Sequence, residues 1–149
     1  GLNPILIRYA DILLMNAEAL AELGELDKTA WDATIKPIRD RAGFTLASAV
    51  EFPEGASKDK LIEIVRNERR SELALEGHRH KDIIRWRIAD NVLNGWCHGL
   101  KTNDVVGTDD GYVRVENRTF NANRHYLWPI PQTQIDLNPN LKQNPGYSK

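Results

Sequence analysis

Apolar residues recur every three or four positions along the first half of the chain, and this spacing predicts helices. Leu6, Ala10, Leu13, Ala17 and Leu20 form one row, widened by Ile12, Leu14 and Met15, so the helix that is clear from Arg8 onward is buried on more than one side. Ala10, Ala17, Ala19 and Ala21 are small enough for a neighbouring helix to approach closely, and Gly24 is a C-terminal stop. Upstream, Asn3 and Pro4 read either as an N-cap with proline at the first helical position or, with Ile5 to Ile7, as a short extended lead-in. Asp27 caps a second helix with the stripe Trp31, Ile35, Ile38 and Ala42, ending at Gly43. Pro37 inside it predicts a kink or a fresh start near Lys36.

The short link from Gly24 to Asp27 makes these two helices an antiparallel hairpin, which resembles a single tetratricopeptide-type unit without a second copy at a fixed period. Phe44 to Gly55 reads as loop. Ser57 caps a third helix running to Glu76, whose stripe is Leu61, Ile64, Val65, Glu68, Glu72 and Leu75, so glutamates continue the apolar face. Gly77 breaks it, and a fourth helix is predicted from about Arg79 to Leu93 with Ile84, Ile88 and Val92 inward. Beyond Asn94 and Gly95 the helical period disappears. Tyr112 to Val115 reads as a short strand with Thr119 and Phe120 as its partner. The end, with Pro129, Pro131, Pro139 and Pro145, reads as an ordered strap rather than a helix. The expectation is a mainly α fold in a single domain, with a helical body over residues 1–94 and a loop region and extended strap over residues 95–149.

Composition narrows the function classes. The 149 residues carry 20 basic against 21 acidic side chains, so no net field recruits nucleic acid or an anionic membrane. No apolar run approaches the roughly 18 residues of a membrane span. The single cysteine, Cys97, allows no internal disulfide and no cysteine-based zinc site.

The densest chemistry lies between Glu68 and Trp86. Glu68, Glu72 and Glu76 follow at four-residue intervals, with His78 and His80 directly after. One reading is a metal or acid/base site, and a hydrolase using Glu72, Glu76, His78 and His80 is its concrete form. Gly77 intervenes, however, and the two histidines lack ligand spacing on a continuous helix. The other reading is an ion network, because carboxylates on an apolar stripe need partners and Arg69, Arg79, Arg85, Arg39 and Arg41 can supply them. Among the aromatics, Trp96 and Tyr112 in the glycine-rich region are the candidate ligand contacts, whereas Trp31 and Trp86 fall on helical faces. Asp104, Asp109 and Asp110 lack the spacing of a calcium loop and read as solvated turn residues. No nucleophile motif or dinucleotide fingerprint occurs, and no cofactor is expected.

Several blocks together resemble a known pattern: RYADILLMNAEA from Arg8 to Ala19, IRDRAG from Ile38 to Gly43, then Glu68, Arg69, Glu72, Leu73, Glu76, Gly77, Arg79, Asp82, Arg85 and Trp86, and finally Pro129 to Pro131 and Gln143 to Tyr147. Their order and spacing closely resemble the C-terminal part of SusD/RagB family proteins. The resemblance implies a helical fold with tetratricopeptide-like hairpins and a lipoprotein on the outer-membrane surface. It also implies no enzyme, but a protein that binds glycans or other nutrients and hands them to a SusC-type TonB-dependent transporter. The lipid-anchor cysteine and the N-terminal half of that pattern are absent, so the chain looks like a C-terminal fragment, and Cys97 is not that anchor. Glu68, Glu72, Glu76, Arg69, Arg79, Asp82 and Arg85 coincide with the family's identifying positions, and on this reading they form a structural ionic clamp between the third and fourth helices and the hairpin.

Overall fold

The computed structural model describes residues 7–103 and 106–147. The expected start at Asn3 and Pro4, and the turn residue Asp104, lie outside them. The helices are α1 (Tyr9–Leu23), α2 (Lys28–Arg41), the single turn α3 (Ala47–Val50), α4 (Lys58–Glu72), α5 (His78–Arg85), α6 (Ala89–Val92) and α7 (Gln132–Leu137). Three strands, β1 (Gly95–Lys101), β2 (Thr108–Asp109) and β3 (Tyr112–Arg118), lie between α6 and α7. The fold is mainly α, as the periodicity predicts. The chain divides into two compact units, Gly1–Arg79 and His80–Lys149, so the division falls in the first turn of α5.

In the first unit, α1 and α2 form the expected hairpin and α4 packs on α1. Gly24 ends α1 in the left-handed conformation (φ 78°), where a Cβ would be strained. Asp27 caps α2 by accepting from Ala30 N at 2.8 Å, and Ser57 caps α4 by accepting from Lys60 N at 3.3 Å. The core gathers Leu14, Ala17, Trp31, Ile35 and Val65, all fully buried. Pro37 does not interrupt α2, which is continuous from Lys28 to Arg41. The burial of Trp31, Thr34, Ile35 and Ile38 on one face outweighs the single backbone bond lost there. Within the stretch expected to be loop, α3 buries Val50, whose carbonyl accepts from Trp31 Nε1 at 2.9 Å.

The third helix ends at Glu72, four residues before its expected end. Leu75 is therefore not inward: it is fully exposed in a left-handed turn (φ 66°) that precedes Gly77 (φ 79°). The line of full burial on α4 runs Leu61, Val65, Arg69, with Glu68 and Glu72 flanking it.

The second unit departs further from expectation. The fourth helix is two short ones, because Arg87 takes a left-handed backbone (φ 55°) and restarts the chain. The break turns the inward face to Ile83 and Ala89 and leaves Val92 exposed. The sheet order is β1-β3-β2, all antiparallel, so β3 pairs with β1 and β2 rather than with Thr119 and Phe120. Phe120 is engaged elsewhere: Asn94 Oδ1 accepts from its N–H at 2.6 Å and Asn94 Nδ2 donates to its carbonyl at 3.1 Å. The strap is ordered by comparable contacts around Ile130 and by one turn and a half of helix, α7, that buries Ile135.

Candidate functional site

The charged cluster of the first unit is an array of arginine and carboxylate pairs. Arg8 Nη1 donates to Glu72 Oε1 at 2.7 Å and Nη2 to Glu76 Oε1 at 2.6 Å, while the same Nη2 also reaches the Glu72 carbonyl at 2.8 Å. Arg41 shares the Glu72 carboxylate. Arg39 donates to Glu68 at 2.7 Å and to the Ala49 carbonyl at 2.7 Å, with its guanidinium 5.1 Å from the centre of the Trp31 ring. Arg69 donates to Asp11 Oδ1 at 2.6 Å, and this pair is the most buried, with both side chains under 10% exposed. The hydrogen bond from Arg8 holds the Glu76 carboxyl below its ordinary pKa, and Glu76 in turn raises that of Arg8.

Periodicity alone pairs some of these groups differently. The guanidinium on Glu72 and Glu76 comes largely from Arg8 at the entry to α1, and Arg69 donates across to Asp11 on α1. Asp11 carries the same signal as the α4 glutamates, a carboxylate beside Ala10 and Leu14 on an apolar face. Arg79 is half-buried in the first turn of α5. Buried Asp82 accepts from Arg85 Nη2 at 3.0 Å, a contact made inside α5. His78 Nδ1 lies 3.5 Å from Arg69 Nη2, and His80 lines a cavity of the second unit. Among the described residues no three His, Cys, Asp or Glu side chains are grouped as metal ligands would be.

That cavity, of about 500 Å³, has a largely aromatic wall: Phe120, Tyr126, Trp128 and Tyr147, with His80 and Arg85 among its polar members. Phe120 meets Tyr126 edge-on, ring centres 4.8 Å apart at 72°. Tyr126 Oη donates to Asp90 Oδ1 at 2.5 Å, and burial, then this bond, raises its pKa. Trp128 is 82% exposed, so an indole face is open to solvent at the wall of a concave site. Its backbone is tied down: Asn144 Nδ2 donates to the Trp128 carbonyl at 2.6 Å and Tyr147 Oη to the Leu127 carbonyl at 3.0 Å. Aromatic side chains crowded into a proline-rich segment are the sequence signal for this wall, masked by the reading of that segment as a strap.

Trp96 and Tyr112 lie elsewhere, on the sheet. Trp96 pairs with Asn117 and Tyr112 with Lys101, which puts them at opposite ends of the β1/β3 ladder, about 17 Å apart at strand rise. Each ring is covered by a cation, Arg114 at 5.6 Å over Trp96 and Lys101 at 5.3 Å over Tyr112. Asp109 is more than a solvated turn residue. It accepts from Arg114 Nε at 2.9 Å and lies 2.8 Å from His98 Nε2, and these bonds, Arg114 first, lower its pKa strongly.

Residues 2–147 match the SusD family model. The chain belongs to the SusD family. It is 34% identical to SusD-like protein P2 of Formosa agariphila, over 97% of this chain and 26% of that one, and 31% identical to SusD-like protein P38 of the same organism, over 97% and 25%. A SusD-like protein of Bacteroides fragilis superposes with a TM-score of 0.75 at 35% identity, covering 96% of this chain and 26% of its own. A SusD homolog of Bacteroides thetaiotaomicron gives 0.68 at 31%, covering 95% and 26%. This SusD-family chain thus spans about a quarter of the length of the relatives it matches. No helix among its described residues is long and apolar enough to cross a membrane.

Proposed function

We propose that this SusD-family chain is part of a cell-surface nutrient-binding protein, lipid-anchored in the outer membrane, that captures a glycan and passes it to a SusC-type TonB-dependent transporter. The observation that carries the binding reading is the concave aromatic wall of Phe120, Tyr126, Trp128 and Tyr147. Sugar rings stack on such faces, and a cavity of this size falls within the range that small ligands occupy. Trp96 and Tyr112 would join the contact surface only for a ligand that displaces Arg114 and Lys101 from their rings.

Binding rather than catalysis is the reading the charged cluster favours. Glu72 and Glu76 present their carboxylates to Arg8 and Arg41, which suits a structural clamp and leaves a hydrolase using Glu72, Glu76, His78 and His80 with both of its carboxylates engaged by arginine. The test is calorimetry of the full-length protein against a neutral and charged oligosaccharide panel, alongside Trp128→Ala. A ligand is expected, bound about tenfold or more weaker by the variant. The binding reading fails if no nutrient binds, and the transporter reading fails if no TonB-dependent transporter co-purifies.

A further inference from the structure

Next to the aromatic cavity, and sharing Tyr126 and Leu127 with it, lies a second cavity of about 390 Å³ lined by Arg87, Asn123, Arg124 and Gly146. Its two arginines are unlike most in this chain. Arg8, Arg39, Arg41, Arg69, Arg85, Arg114 and Arg118 each hold a carboxylate. Arg87 and Arg124 instead lie over aromatic rings, Arg87 4.7 Å from the centre of Tyr126 and Arg124 4.6 Å from that of Tyr147. Among the described residues neither guanidinium has a carboxylate or hydrogen-bond partner, and no acidic side chain lines the cavity. A stacked guanidinium is fixed by its flat face while its edge keeps a fork of N–H donors, the arrangement that recognises a planar or tetrahedral oxyanion.

Backbone features place both side chains. Arg87 occupies the left-handed break between α5 and α6 (φ 55°), a position where glycine or asparagine would be less strained. Arg124 is set by Gly146 (φ 81°), at which a Cβ would come within 2.8 Å of both the Asn123 carbonyl oxygen and the Arg124 Cβ. Only a glycine lets the strap close against this segment.

We propose that Arg87 and Arg124 bind an anionic oxygen group, a sulfate ester or a carboxylate, borne by the oligosaccharide held in the adjoining aromatic cavity. The inference rests on the nutrient-binding reading above and adds the charge class of the ligand. The shared Tyr126 and Leu127 wall lets one sugar chain stack on the aromatic side while its charged substituent meets the arginines. An acidic protein segment offers the same charge, but a concave site that shares Tyr126 and Leu127 with an aromatic recess fits a small ligand rather than a flat interface.

The test uses the full-length protein on an array of sulfated, uronate-containing and neutral oligosaccharides, followed by titration of each hit against wild type, Arg87→Gln, Arg124→Gln and the surface control Lys142→Gln. The expected hits are charged sugars. Each arginine variant should lose about tenfold or more in affinity for them with unchanged melting temperature, while Lys142→Gln should not. Sulfated and uronate members identify which oxyanion is read. Binding confined to neutral sugars overturns the anion site and leaves nutrient capture standing. Binding of no sugar overturns both. Arginine variants that bind charged sugars normally but fail to retain a protein partner overturn the anion site in favour of a docking role.

Discussion

Gln143 satisfies both backbone polar groups of Ile130, accepting from its N–H at 2.8 Å through Oε1 and donating to its carbonyl at 2.8 Å through Nε2. The amide thereby acts as a one-residue strand, joining the segment from Pro129 to Pro131 to the one from Gln143 to Tyr147, with proline on each side of Ile130 denying it an ordinary ladder. A carboxylate at position 143 keeps the acceptor and loses the donor. Gln143→Glu should therefore cost about 1–3 kcal/mol at neutral pH, with part recovered in acid as the carboxyl gains a proton. Amide exchange at Ile130 and thermal melts across pH measure it. Equal melting of variant and wild type at pH 7 would show the bridge to be dispensable.

Arg69 and Asp11 are the most buried ion pair of the first unit. Removing one partner strands the other charge, so Arg69→Met should destabilise by about 3–5 kcal/mol. Arg69→Met with Asp11→Leu should be less harmful than the sum of the two single changes, since the two charges of this pair are then removed together. A double-mutant cycle in urea tests this, and strict additivity would refute the coupling.

Glu76 gives the acid limb a predictable sign. Its folded pKa is depressed, first by the hydrogen bond from Arg8. Its stabilising contribution is then complete above the unfolded value of about 4.3 and is lost as pH falls through the lower folded value. Wild type should lose stability more steeply than Glu76→Gln below about pH 5, and the difference should shrink in 1 M salt, because Glu76 is partly exposed. Parallel acid melts that do not converge would contradict the assignment.

Trp31 anchors the first unit through both volume and its indole N–H. Trp31→Phe keeps most of the packing against Phe52, whose ring centre lies 5.8 Å away, but leaves the Val50 carbonyl without its 2.9 Å donor. The expected cost is about 1–3 kcal/mol, against about 3–5 kcal/mol for Trp31→Ala. Denaturant midpoints for the two variants decide whether the hydrogen bond matters beyond bulk.

The sequence by itself determined the helical class, the α1/α2 hairpin, the caps Gly24, Asp27 and Ser57, and the family to which the chain belongs. Each is a local signal, a period, a cap or a block of residues, and survives without knowing the neighbours. Only the tertiary structure decided which arginine meets which glutamate, because Arg8 and Glu72 are distant in the chain and several arginines are chemically equivalent candidates. It alone placed β1 as the partner of β3, since glycines at Gly95 and Gly99 conceal the strand and Asn94 withdraws Phe120 from pairing. The aromatic cavity belongs to the same class. Phe120, Tyr126, Trp128 and Tyr147 are scattered along loop and strap, and they converge because Asn94, Gln143 and Asn144 hydrogen-bond to the backbone that carries them or lies beside them. Side-chain-to-backbone bonds of that kind have no period, so only the folded chain reveals them.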